Sequence, residues 1–283
     1  MKLTFLGTGT SHGVPPLYCM RKGFSLCKKN VCNESFTDPK HNRTRSSVFL
    51  EYNNRAILID VSPDFRQQAI REHIVTIDAV LITHIHADHI MGIPDIRSYT
   101  YSKEQPLPVY GSEETMSGIR DMFKYIFDPN TFEGGGIPVI SLNTIDKPFL
   151  LFGKTIIPIP VRHGPLSGCF GFRIENLAYI PDIKEIPEEH KSLLSNLDCL
   201  IIDCLRDEPA HVTHIVLPES IELARELKPG KCYFTHMCHN IHYQQDAHLL
   251  DSWMYFAYDG LTIQLESVAE LSTQYEYIKS KRR

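Results

Sequence analysis

A four-layer αββα sandwich, two mixed sheets face to face with helices outside, is the α/β (α+β) fold class that this chain predicts. Strand signals come in two runs, each followed by helices, which is the pattern of two sheets with helices on their outer faces. The chain has 283 residues and 42% hydrophobic content, ample for a sizeable core. No Gly-, Pro- or Ser-rich linker divides it, so residues 1–283 are expected to form a single domain.

The elements follow in order. Lys2 to Leu6 reads as a strand and is followed by a long cysteine-bearing loop, about residues 11–46, rich in Gly, Pro and Lys. Strands resume at Ser47 to Tyr52 and Ala56 to Asp60, with Asn53-Asn54 as the hairpin turn between them. Pro63 marks a helix start, Asp64 to Glu72 has helical composition, and Ala79-Val80-Leu81-Ile82 is a short, fully apolar strand. Val109 to Gly111 ends another strand, and Ser112 can cap a helix running to Lys124. A loop at Glu133 to Gly136 carries three consecutive glycines. The second run holds strands at Thr155 to Val161, Gly168 to Glu175, Leu177 to Ile180, Cys199 to Asp203 and Cys232 to Thr235. Its helices are expected near Pro187 to Ser195, Pro218 to Leu227 and Gln245 to Trp253, before a hairpin-like Phe256 to Leu265 that turns at Asp259-Gly260. Lys279 to Arg283 forms a short basic tail, most simply solvated.

Charge adds to 29 Lys+Arg against 34 Asp+Glu, a net of −5, which does not suit a general nucleic-acid binder. The amino-terminal stretch turns into a glycine loop before any apolar run reaches signal-peptide length, and nothing later approaches a membrane span. A soluble cytoplasmic protein is expected. In that reducing setting eight cysteines point to metal binding or burial, not to a disulfide framework. Fourteen histidines are more telling, because they gather in Thr83 to His89, His211 to His214 and Thr235 to His242.

Thr83-His84-Ile85-His86-Ala87-Asp88-His89 follows a buried strand, so His84 and His86, two apart, can project to one side. Asp88 and His89 come after the turn and can face a second point nearby, as a dinuclear site requires. Zinc suits this nitrogen and carboxylate set, and manganese or iron would also be accepted. Three further polar residues close predicted strands: His163 after Ile157 to Val161, Asp182 after Ala178 to Pro181, and His236 after Cys232 to Thr235. Singly, each is an ordinary loop residue; together they complete two coordination spheres, with Asp182 able to bridge two ions.

With the motif His84-x-His86-x-Asp88-His89, the chain resembles the metallo-β-lactamase-fold hydrolases. Within that family Gly7 to Ser11 with Gly13-Val14-Pro15, Arg43 to Ser47, Ile59 to Asp64, Thr235-His236 and Tyr258-Asp259-Gly260 look like the branch of phosphoribosyl 1,2-cyclic phosphate phosphodiesterase. The resemblance covers nearly the whole chain. It implies that one metal takes His84, His86 and His163, and the other Asp88, His89 and His236, with Asp182 and a hydroxide bridging. It also associates a histidine matching His214 with substrate phosphate and catalysis. His211 is the competing residue of that run, and the position of His214 beside a helix start favours His214.

Asp60 ends a strand where it can accept a hydrogen bond from a ligand imidazole and fix its tautomer, or can cap the helix beside Ser62. Cys19, Cys27 and Cys32, with His239 three residues after His236, offer the donors of a structural zinc site. Free loop cysteines would look the same. The resemblance supports zinc, although relatives space these cysteines more closely, and Cys238 is a possible substitute. Cys169, Cys199, Cys204 and Cys232 read as core. Arg43, Arg45 and Ser46 are candidates to receive a phosphate dianion, with surface arginines as the plainer alternative. Gly7 to Ser11 reads as a loop lining the site, without the Lys-Ser/Thr ending of a P-loop. Met91, Phe123 and Tyr125 read as core or pocket wall.

The expected function is hydrolysis of a small or cyclic phosphodiester, of ribose cyclic phosphate or cyclic nucleotide type, by a hydroxide bridging two divalent ions, Zn or Mn. Asp88, Asp182 and His214 are the expected catalytic residues, and His214, Arg45 and Ser46 the substrate contacts. Partners follow from this: a small phosphodiester, no membrane, no DNA, RNA only as the second candidate, and a homodimer left open. The rival readings are a tRNA 3′-processing endonuclease, a thioester, lactone or β-lactam hydrolase, and a catalytically silent scaffold. A scaffold is expected to lose ligands, and here all seven are in place.

Overall fold

The computed structural model describes residues 1–101, 104–132 and 134–265, so the basic tail at 279–283 lies outside the described residues. The first sheet is built in chain order from β1 (Lys2–Gly7), β2 (Ser47–Tyr52), β3 (Arg55–Ile59), β4 (Ala79–Leu81), β5 (Leu107–Gly111) and β6 (Ile140–Thr144). The second is built from β7 (Phe149–Leu151), β8 (Lys154–Pro160), β9 (Phe170–Ile174), β10 (Leu177–Ile180), β11 (Cys199–Asp203), β12 (Lys231–Thr235) and β13 (Met254–Phe256). A last strand, β14 (Thr262–Gln264), returns to the first sheet beside β1. Each sheet of seven begins with antiparallel pairs, β1 to β3 and β7 to β10, and continues with parallel ones, β3 to β6 and β10 to β13.

Side-chain alternation along the strands builds the layers. Val48, Leu50, Ile57 and Ile59 point between the sheets and meet Phe172, Tyr179, Ile201 and Tyr233 in one buried cluster. Their neighbours Phe49, Ala56 and Leu58 point outward and pack with Phe65, Ile90, Met116 and Ile119. On the other sheet Ala178, Ile180, Leu200 and Ile202 are covered by Leu217, Ile221 and Ala224 of the helix Leu217–Leu227. Three apolar layers between four layers of structure are the expected αββα sandwich.

Local chemistry explains the element boundaries. Asn53 and Asn54 both take positive φ, 50° and 57°, as the two-residue turn between β2 and β3 requires. The Ser112 hydroxyl caps the helix Glu113–Met122 by accepting from Thr115 N–H at 3.1 Å. A Cβ at Gly7 would run into the Arg45 carbonyl oxygen, so the close approach of two backbones needs glycine there.

Three expectations change. Gln245 to Trp253 holds only the single 3-10 turn Ala247–Leu249, because Asp246 turns back to accept from the His242 N–H at 2.8 Å and to pair with Lys29. Phe256 to Leu265 is not a hairpin: Phe256 belongs to the second sheet and Thr262 to the first. The turn between them carries Asp259, whose carboxylate accepts from the backbone N–H and hydroxyl of both Thr8 and Thr44 at 2.6–2.9 Å. Strands β6 and β7 were not foreseen, because Ile140–Thr144 and Phe149–Leu151 are short and half-exposed and lack a clean alternation.

Candidate metal centre

Every residue of the site sits at or just beyond the carboxyl end of a strand. Asp60 follows β3, His84 and His86 follow β4, His163 follows β8, Asp182 follows β10, and His236 follows β12. The parallel segments of both sheets bring these ends to one edge of the sandwich. Extended backbone through His86 puts His84 and His86 on one side, and the single turn Ala87–Ile90 then swings Asp88 and His89 inward.

Two overlapping groups of donors result. His84, His86, His163 and Asp182 offer atoms within 4.8 Å of one another, and so do Asp88, His89, Asp182 and His236. In the first, His86 Nδ1 lies 3.0 Å from His84 Nε2 and 3.2 Å from His163 Nε2. In the second, His89 Nε2 stands 3.3 Å from Asp88 and from Asp182, and His236 Nε2 stands 3.3 Å from Asp182 and 3.5 Å from Asp88. Tetrahedral ligands on bonds of about 2.0–2.1 Å stand about 3.3 Å apart, so these spacings suit a cation at each centre. Among the described residues the buried atoms His89 Nε2, His236 Nε2 and Asp182 Oδ1 have no hydrogen-bond partner, which fits donors built for a metal.

Tautomers are set from behind. Asp60, fully buried with φ 64°, takes His89 Nδ1 at 2.8 Å, so Nε2 is left to face the centre. Its two oxygens also accept the Thr83 hydroxyl at 2.9–3.0 Å, which obliges that hydroxyl oxygen to accept from His84 Nδ1 at 3.0 Å. One carboxylate thus orients a donor in each group. His163 donates from Nδ1 to the Thr213 carbonyl at 2.8 Å, with the same consequence for its Nε2. Burial, reinforced by neighbouring imidazoles, holds His84 well below its usual pKa, and burial brings His163 down to about 4, so both present neutral nitrogens. Burial opposes the charge on Asp182, but His236 and His89 outweigh it and keep the carboxylate ionised.

His214 stacks on His236 at 4.9 Å between centroids and 14° between planes, and meets His163 edge-on at 4.6 Å. Its Nδ1 is 2.7 Å from Asp203 Oδ2. Burial works against a charged imidazole there, yet the Asp203 carboxylate raises its pKa to about 9. Asp203 was missed by sequence reasoning, although a lone acid closing the apolar strand Cys199 to Ile202 was its visible signal. Its other oxygen lies 3.8 Å from His236 Nδ1.

A second cluster ties down the long loop. Cys19, Cys32 and His239 converge within 4.8 Å, with Cys32 Sγ 3.0 Å from His239 Nδ1 and the Tyr18 hydroxyl 3.2 Å from His239 Nε2. Cys27 stands beside them, its sulfur accepting the Cys32 N–H at 3.3 Å and donating to the His239 carbonyl at 3.6 Å. Cys238 is turned away onto Asn240. A third group, Glu34, His41 and His242, was not foreseen. There His242 Nδ1 accepts two backbone N–H groups at 3.2 Å, so its Nε2 carries the proton it gives Glu34 at 3.0 Å, a hydrogen-bonded tie.

Three candidate substrate contacts already have protein partners. Arg43 is buried and gives its guanidinium to the carbonyls of Cys238 and Ile241, both at 2.8 Å. Ser46 is buried and donates to the Gly9 carbonyl at 3.0 Å. Arg45 sets its Nη1 against both Asp64 oxygens at 2.9 and 3.1 Å and gives its Nε–H to the Ser11 carbonyl at 3.1 Å. The glycine loop bridges Arg45 and Met237 through Gly9, beside His236. Phe123 is core, whereas Met91 and Tyr125 are exposed. Among the described residues no helix is long and apolar enough to cross a membrane.

Comparison with known proteins places this geometry. A sequence model described as a beta-lactamase superfamily domain matches residues 55–237. The crystal structure of a diphosphatase from the PhnP family is 36% identical with a TM-score of 0.82, covering 94% of this chain and 98% of that one. An octanoyltransferase of Porphyromonas gingivalis is 33% identical over 264 residues, covering 92% of this chain and 51% of that protein. A ribonuclease Z of Methanococcus maripaludis is 26% identical over 182 residues, covering 61% of this chain and 48% of that enzyme. The chain therefore spans about half the length of these two curated relatives. Matched by the superfamily model over more than half its residues and by the PhnP-family structure almost end to end, the chain belongs to the beta-lactamase superfamily, in the branch of that diphosphatase.

Proposed function

We propose that this protein is a metal-dependent hydrolase of phosphoric esters, acting on a small or cyclic phosphodiester with two divalent ions, zinc or manganese. One observation carries the reading: two donor groups share Asp182, and the Asp203-paired His214 stands against a ligand of each, His163 and His236. Bound there, the ions supply Lewis acidity toward phosphoryl oxygens and make water nucleophilic at neutral pH. His84, His86 and His163 would hold one ion and Asp88, His89 and His236 the other, with Asp182 common to both.

The chain's own residues supply the rest. Asp203 keeps the His214 Nδ1 proton, so Nε2 is the atom that offers a proton to a phosphoryl oxygen or to the departing alkoxide. As the phosphorus–oxygen bond to the leaving group breaks, that proton goes to the alkoxide oxygen and the Asp203 carboxylate steadies the ring. The likeness to a PhnP-family diphosphatase supports phosphorus as the reacting centre. The transferase name belongs to a relative about twice as long, only 51% of which is matched here, and a thioester substrate serves as the control. RNA cleavage is the second reading, favoured by the ribonuclease Z likeness and opposed by the net charge of −5.

The test is turnover by metal-stripped protein before and after reloading with manganese or zinc, on an aryl phosphodiester, a ribose cyclic phosphate, a pre-tRNA, a thioester and a β-lactam. Metal-dependent turnover of the small phosphodiesters is expected. Turnover confined to the thioester or the lactam would overturn the assignment, and turnover confined to RNA would replace it with the second reading.

A further inference from the structure

The run His211-Val212-Thr213-His214 is only half used by the chemistry above. Thr213 is its hinge in bonding terms: its carbonyl takes the proton of the ligand His163, while its backbone N–H and hydroxyl lie 3.3 and 3.2 Å from His211 Nδ1. A backbone N–H can only donate, so His211 Nδ1 must carry the lone pair and the ring is the neutral tautomer with its proton on Nε2. The preceding loop is clamped by Arg206, which donates to the carbonyls of Pro209 at 2.8 Å and Ala210 at 3.2 Å. The His211 ring lies 5.2 Å from that of His214, is partly exposed, and makes no other hydrogen bond among the described residues.

We propose that His211 is a second substrate contact: a fixed, neutral Nε2–H donor, next to His214, for an oxygen of the substrate's phosphate or of the group attached to it. This rests on the phosphodiesterase reading and deepens it. His214, held charged by Asp203, serves the reacting oxygens, whereas His211 is one imidazole further along and orients the bound phosphoester. An interaction of this kind is made in ground state and transition state alike, so it sets KM more than kcat. Inorganic phosphate would accept from the same imidazole donors as an inhibitor.

Steady-state kinetics of the metal-reloaded protein on an aryl phosphodiester tests this with His211→Ala and His211→Gln, metal content and Tm being measured alongside. The expected result is a KM raised about tenfold in H211A with kcat within about threefold of wild type. In H211Q, whose amide can place an N–H near the same position, KM returns to within about threefold. A KM unchanged in H211A overturns the proposal, as does a KM equally raised in both variants together with a lowered Tm, which marks a structural role. Should the wild type not turn over any phosphodiester, the functional reading fails while His211 remains testable through inorganic phosphate. Phosphate affinity about tenfold weaker in H211A then supports the contact, and equal affinity overturns it.

Discussion

Two donor clusters stand three residues apart along the chain, His236 in one and His239 in the other, and they are built in opposite ways. The first hangs from the ends of rigid strands, and carboxylates or carbonyls hold the backs of its rings: Asp60 behind His89 and, through Thr83, behind His84; the Thr213 carbonyl behind His163. The second is assembled from the long loop, whose single turns Leu17–Met20 and Val31–Glu34 carry Cys19 and Cys32, and from His239 beyond the end of β12. Burial, with the neighbouring sulfurs of Cys19 and Cys27, pushes the Cys32 thiol well above its usual range, a crowding of thiols that a zinc ion would relieve by taking thiolate. The difference separates two uses of similar donors. A site preformed by the sheets can spend metal on chemistry, whereas a site that gathers its own loop spends it on folding.

The contrast can be broken first at Asp182, the carboxylate common to both donor groups. Asp182→Ala is expected to lower kcat/KM by about 10³-fold or more and to reduce metal content, read by elemental analysis beside the kinetics. Loss of turnover with full metal content would show that the two groups do not share a bridge. His214→Ala comes next, with turnover down about 10²–10⁴-fold and both metals retained. Unchanged turnover would remove His214 from the chemistry. Asp60→Asn should weaken metal binding about 10–100-fold in a chelator competition, because an amide cannot serve the His89 proton and the Thr83 hydroxyl as the carboxylate does. Equal affinity would mean the strand ends alone orient the ligands. Cys32→Ser sharpens the other side: a Tm lowered by roughly 5 °C or more, with kcat changed less than about tenfold. A collapse of kcat with an unmoved Tm would contradict the division of labour.

How far the sequence exposes each cluster follows from the same construction. His84, His86, Asp88 and His89 are legible because one turn supplies four donors within six residues, and His163, Asp182 and His236 because each ends a strand with a recognisable apolar run. The sandwich is legible for a similar reason, since strands such as β2 and β10 alternate between two buried faces. Asp203 escaped notice because its role depends on a histidine eleven residues on, across a loop that no local pattern foretells. For Arg43, Arg45 and Ser46, residue type says what a side chain can bind, not that Cys238, Asp64 and Gly9 already engage it. The Cys19, Cys32 and His239 convergence joins residues that lie 207 positions apart from Cys32 to His239, so spacing alone could only nominate its members.

The site is proposed to bring water to phosphorus. Hydrolysis of an aryl phosphodiester in ¹⁸O-water by the metal-reloaded protein, read by mass spectrometry of both products, tests it most directly. One solvent oxygen is expected in the phosphate product and none in the phenol, with release abolished by chelation. Label in the phenol, or release that survives chelation, would contradict it.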